Sequence, residues 1–151
     1  MKHVFAIIFL LLIKSSASAQ GYLGLSKDSL LKFTSGTQCE PQANYKTELA
    51  YKCNGQRAIF YFNKEGNCDL WAVDVKPQSA QDTVTTLLKD GYQKMGTKYV
   101  EAFLASKRYP NHQKFPSTVY AKGKILYSIM PVSLDGKTGE MNSLVVMYVK
   151  K

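Results

Sequence analysis

Apolar residues recur along this chain at two periods, and the two periods separate strands from helices. Over residues 45–52, Tyr45, Thr47, Leu49 and Tyr51 share one face while the charged side chains fall mostly on the other, the pattern of a half-buried strand. Asn54-Gly55 is a tight-turn signal leading into a second strand over residues 57–62. The polar run Asn63-Lys64-Glu65-Gly66-Asn67 turns the chain again, into a third strand over residues 68–75 that Pro77 stops. Trp71, Val73 and Val75 share one face of that third strand. These segments predict a three-strand meander. Two more strands, over residues 118–121 and 125–132, join at Lys122-Gly123, and the turn from Asp135 to Gly139 leads into a last strand over residues 142–149.

The helical period shows in two or three places. Ser26 suits a helix N-cap, with Asp28 in the first turn, Leu30, Leu31 and Phe33 on the apolar side and Gly36 as the stop. Ser79 opens a longer helix in which Val84, Leu87, Leu88, Gly91, Tyr92 and Met95 form one stripe that Gly96 closes. Residues 97–107 carry both signals: Tyr99 and Val100 suit a strand, but Val100, Phe103 and Leu104 with Ala102 and Ala105 favour a second helix. The expected fold is therefore α+β, an antiparallel sheet with helices packed on it, in the order α-βββ-α(α)-βββ. That layout suits two related α-β-β-β halves, although no residue-level repeat marks them. The opening Gly24-Leu25-Ser26-x-x-x-Leu30 resembles the start of small envelope proteins of the β-lactamase-inhibitor-like class. The likeness covers about ten residues, mainly helix-cap chemistry, and implies a helix start rather than an activity.

The two ends of the chain differ in character. Residues 1–19 have the three parts of a secretory signal: Met1-Lys2-His3, an apolar run over residues 4–13, and the small-residue site ending at Ala19. An apolar run of ten is too short for a bilayer span, which needs roughly 20 residues. The expectation is cleavage near Ala19, a single domain over residues 20–151, and a soluble protein that is secreted or periplasmic. Between Gln20 and Lys76 there are 7 basic and 6 acidic residues, against 11 and 5 from Pro77 onward, so the positive excess lies in the second half. Such a surface attracts anions, although a solvated lysine face is the plainer reading.

Three cysteines, Cys39, Cys53 and Cys68, fit one disulfide and one free thiol in an oxidising compartment. In the predicted meander Cys68 opens the third strand and Cys39 lies just ahead of the first, at the same end, whereas Cys53 lies at the other end. The expected bridge is therefore Cys39–Cys68. With His112 the cysteines add up to a Cys3His set, but no short pair nucleates it and oxidised cysteines do not bind zinc, so no metal is expected. Asp69 and Asp74 point to opposite strand faces, and Asp28, Asp82 and Asp90 read as helix surface or cap residues. No nucleophile elbow, phosphate loop or dinucleotide fingerprint occurs, so no catalytic residue or cofactor is assigned.

Two features remain as binding candidates. Some strands are apolar on both faces, Ile59 and Tyr61 opposing Phe60 and Phe62, which normally means burial on both sides. The other is the mixture of cations and aromatics in Lys107, Arg108, Tyr109, His112, Lys114 and Phe115, leading toward Lys122 and Lys124. Converged, these residues would hold an anionic glycan, a lipid surface or an envelope protein, and an exported protein seldom meets nucleic acid. The expected function is a small non-enzymatic binding or interaction protein of the cell envelope. The rivals are a small hydrolase using a free cysteine with His112, and a structural subunit of an envelope assembly.

Overall fold

The structure, a computed structural model, describes residues 21–35, 39–101 and 114–148. Residues 1–19, where a secretory signal is expected, and Lys107, Arg108, Tyr109 and His112 lie outside the described residues. In chain order the elements are α1 (Lys27–Thr34), β1 (Cys39–Tyr45), β2 (Glu48–Cys53), β3 (Gln56–Phe62), β4 (Cys68–Val75), α2 (Pro77–Lys89), β5 (Gln93–Glu101), β6 (Lys114–Lys122), β7 (Ile125–Val132) and β8 (Thr138–Tyr148). The eight strands form one antiparallel sheet in the order β1-β2-β3-β4-β8-β7-β6-β5. The described chain is thus one helix followed by four strands, twice. The two halves meet at the centre, where β4 pairs with β8.

Local chemistry explains the turns. Asn54 and Gly55 both have positive φ, 51° and 80°, the type I′ geometry that joins β2 to β3 without splaying them. The Asn63 side-chain oxygen accepts from the Glu65 and Asn67 amides and shapes the turn into β4. Ser26 caps α1 by accepting from the Ser29 amide at 3.2 Å. Ahead of α1, the Gly24 amide donates to the Cys68 carbonyl and the Cys68 amide donates to the Leu25 carbonyl, tying residues 21–25 to the start of β4. Tyr22 stacks edge-on against both Phe60 and Trp71 there.

Both faces of the central strands are buried. One apolar cluster contains Leu30 of α1 and Ala80 and Leu87 of α2, together with Leu49, Phe60, Trp71, Val73, Tyr127, Leu144 and Val146 of the sheet. The cluster on the opposite face draws no residue from either helix, yet Ile59 is 1% exposed, Ala72 0% and Val145 2%. The two-faced apolar strands are therefore interior strands, as full burial on both sides requires.

Four expectations are corrected. The fold is not α+β with helices packed on a sheet: an eight-stranded antiparallel sheet dominates, with two helices beside it, so the described chain is nearly all β. Each half holds four strands rather than three. In the first half the additional strand is β1, which contains Pro41, is mostly exposed and so shows no alternation. β1 also corrects the disulfide. Its hairpin with β2 sets Cys39 directly opposite Cys53, and the bridge is Cys39–Cys53, Cα atoms 4.3 Å apart, not Cys39–Cys68.

The long helix is the fourth correction. It begins with Pro77 in its first turn and ends at Lys89, short of the apolar stripe that runs on to Met95. Gly91 takes φ +82°, the Tyr92 amide donates to Leu87 and the Gly91 amide to Leu88, a Schellman stop. Beyond it the chain is already β5, so residues 97–101 are strand where a second helix was expected.

The bridge spans a sequence separation of 14, for which loop-closure entropy gives about 3 kcal/mol. Replacing Cys39 and Cys53 together by Ser is expected to lower the unfolding free energy by about that amount in urea denaturation. Peptide mapping without reductant should recover residues 39 and 53 linked, and a Cys68-containing bridge would contradict the hairpin.

Candidate functional site

The structure separates the cationic residues singled out in the sequence. Lys114 opens β6 and Lys122 ends it, about 26 Å apart along the strand at roughly 3.3 Å per residue. Lys124 sits in the turn beyond Lys122, and all three lysines are exposed. Phe115 is buried in the cluster on the helix-free face, so it packs the sheet and is not available for surface stacking. Lys122 has an internal role as well: its ammonium donates to the Asp90 carbonyl at the end of α2 and lies 5.8 Å from the Tyr92 ring centre.

The one unbridged thiol is a poor nucleophile. Cys68 is 0% exposed and donates to the Leu70 carbonyl at 3.4 Å. Burial pushes its pKa up to about 12, with Asp69 adding to the rise, so it stays protonated at neutral pH. With Cys39 and Cys53 bonded to each other, the Cys3His set has lost two of its ligands. Among the described residues no group of three or more His, Cys, Asp or Glu side chains is placed to hold a metal ion.

A polar cluster at one end of the sheet was not apparent from the sequence. Asp74 near the end of β4 is 4% exposed and accepts from the Leu134 amide at 2.7 Å and the Arg57 amide at 3.4 Å. The Arg57 guanidinium meets Asp135 at 2.7 Å, and Asp135 also accepts from the Ser133 hydroxyl. Burial raises the Asp74 pKa, and the Asp135 charge adds to this, while the two amides and Arg57 work against it. Burial also acts upward on Asp135, but the Ser133 hydroxyl, Arg57 and Lys137 outweigh it and hold that carboxyl below its ordinary value. Two carboxylates pushed apart in pKa are the usual material of acid–base catalysis. Here both are occupied with the protein itself, because Asp74 fixes the β7–β8 turn and Asp135 fixes Arg57. The cluster is a clamp. Its one sequence signal is an acid inside the apolar run of β4.

The open chemistry lies on β5. This strand is the last in the sheet order, and among the described residues no strand pairs with its outer side. Gln93, Lys94, Met95, Thr97, Lys98 and Tyr99 are exposed, Met95 at 58% and Tyr99 at 71%. Lys94 pairs in register with Tyr120 and Lys98 with Ser117, and a bulge at Met95 places the two lysines on opposite faces of the sheet. Lys89 and Leu88 at the end of α2, both exposed, flank the start of the strand, as do Lys122 and Lys124. The sequence had hidden this edge inside segments read as helical.

Compared with known proteins, the chain matches no family model, and no curated protein or solved structure matches it.

Three tests follow from these environments. Asp74 has a folded-state pKa above its ordinary 3.8, so between those two values the folded state binds the extra proton and stability falls as pH rises. Wild type should therefore gain stability relative to Asp74→Asn as pH is lowered from 7 toward 4, measured by urea titration at each pH. Asp135 has the opposite sign: the advantage of wild type over Asp135→Asn should hold at neutral pH and vanish as pH falls through the depressed pKa. Separately, Cys68 should resist iodoacetamide in the native protein and react fully once urea has unfolded it. Rapid native alkylation would contradict its burial.

Proposed function

We propose that this chain is an exported, non-enzymatic binding protein that holds an anionic partner through the lysine-bearing side of its second half. The observation that carries the reading is the surface around β5. Lys89, Lys94, Lys98, Lys122 and Lys124 are exposed there, and none makes an ion pair among the described residues. Leu88, Met95 and Tyr99 stand among them, each more than half exposed. Cations without neutralising acids, interleaved with apolar and aromatic side chains, suit an anionic surface that also offers apolar contact. Export is supported by the secretory pattern of residues 1–19 and by the disulfide, which belongs to an oxidising compartment. Among the described residues no helix is long and apolar enough to cross a membrane. A hydrolase built on cysteine finds no support, because the only unbridged thiol is buried and protonated.

The test compares two variants of equal net charge on a sulfonated matrix. Lys94→Glu/Lys98→Glu reverses two charges on β5, and Lys46→Glu/Lys64→Glu reverses two exposed lysines in the first half. Exposed charges act over about 8–10 Å at physiological salt, so position decides retention where the patch is local. The β5 variant should elute at clearly lower salt than the control. Equal elution of the two would overturn the reading.

A further inference from the structure

We propose that the outer edge of β5 receives an extended acidic segment of a partner protein as a ninth strand of the sheet. The inference rests on the anionic-partner reading above and adds the way in which the partner is held. It starts from a difference between the two ends of the sheet. β1, the first edge, carries several devices that discourage strand addition. Pro41 cannot donate a backbone hydrogen bond, a bulge falls between Pro41 and Ala43, and the Cys39–Cys53 bridge pins the strand to β2. Lys27 of α1 donates to the Tyr45 carbonyl at 2.6 Å, taking up a backbone acceptor at the far end of that strand.

β5 is built differently. It has nine residues, about 30 Å at roughly 3.3 Å per residue, and contains no proline and no disulfide. Its one irregularity is the bulge between Lys94 and Gly96, which leaves the run from Gly96 onward regular. Among the described residues its outer amides and carbonyls face no other strand. Such a row is a template for another chain, which would gain main-chain hydrogen bonds along it.

The side chains select the occupant. A second copy of β5 would add two more lysines to an edge that is already cationic, whereas acids opposite Lys94 and Lys98 are favourable across strands. Because those lysines lie on opposite faces, the acids must flank the added strand on both sides. Thr97 and Tyr99 share the face of Lys94, since they pair with Thr118 and Pro116 of β6, and offer a β-branched and an aromatic neighbour to an apolar residue between the acids. The ligand class is therefore an acidic peptide in extended conformation with interspersed β-branched residues.

The probe is a fluorescein-labelled peptide of repeating Glu-Glu-Val-Val, which sets acids and valines in alternation on both faces of an extended strand, with a second version N-methylated at every other residue and otherwise identical in charge. The parent peptide should bind by fluorescence anisotropy, and hydrogen exchange should show new protection of the amides of β5 alone. N-methylation should weaken binding about tenfold or more, because it removes main-chain donors and leaves the charge unchanged. Lys94→Glu/Lys98→Glu should weaken the parent by a comparable factor. Equal binding of both peptides without protection of β5 would overturn the ninth strand and leave the anionic-partner reading to its own matrix test. Protection of β5 in the free protein with a dimeric mass would also overturn it, assigning the edge to a second copy. So would binding only to vesicles rich in anionic lipid, which would assign the lysines to a membrane.

Discussion

The pairing of β4 with β8 holds the molecule together. Every other strand pair described is a hairpin between neighbours in sequence, and would form inside either half without the other. Only the central seam, where Trp71 meets Val146 and Ala72 meets Val145, joins the halves into one sheet. Those residues are 6% exposed or less, so the seam combines a hydrogen-bonded ladder with apolar burial on both faces. It also converts two potential inner edges into interior strands, which leaves only β1 and β5 at the margins.

The Arg57, Asp74 and Asp135 clamp belongs to the same seam. Asp74 stands on β4 and reaches across to the Leu134 amide in the turn that precedes β8. Arg57 reaches from β3 to Asp135 in that turn. The most polar part of the interior therefore bridges the two halves at one end, where the apolar ladder is ending. An ionised carboxylate there is costly to bury, but it is surrounded by amides and a guanidinium, and these give the turn a defined position. The polar groups of this region serve the fold.

Much of the interior was legible because interior strands carry strong local signals. The bounds of β4 and β7 follow directly from their apolar runs, and Asn54-Gly55 and Ser26 act as a turn and a cap for reasons local to them. The edges were not legible. β1 has polar residues on both faces and a proline, so nothing in its own sequence separates it from a loop, and the true partner of Cys39 stays hidden until that strand is recognised. The stripe through Leu88 and Met95 imitates one long helix, although both side chains point to solvent. What ends the helix is the left-handed turn at Gly91, which spacing alone does not reveal. Lys94 and Lys98 gain meaning only from the position of β5 in the sheet order, which is a property of the whole chain. The partnership of Asp74 with the turn at Leu134 is equally remote, with sixty residues separating them.

The disulfide and the seam have opposite relations to chain order. Cys39 and Cys53 close a loop inside a single hairpin, which can form as soon as that hairpin has been made. β4 must wait. Its partner is the last strand described, and Ala72 finds Val145 only after nearly the whole second half has been synthesised. Contacts so distant in sequence are slow to form, and until they do the apolar edge of β4 is open to any other strand. The first half is thus a nascent four-stranded sheet, stapled at its outer margin and bare at its inner one. The greatest hazard of the fold, and the natural place for a chaperone to act, is the interval between the completion of β4 and the arrival of β8.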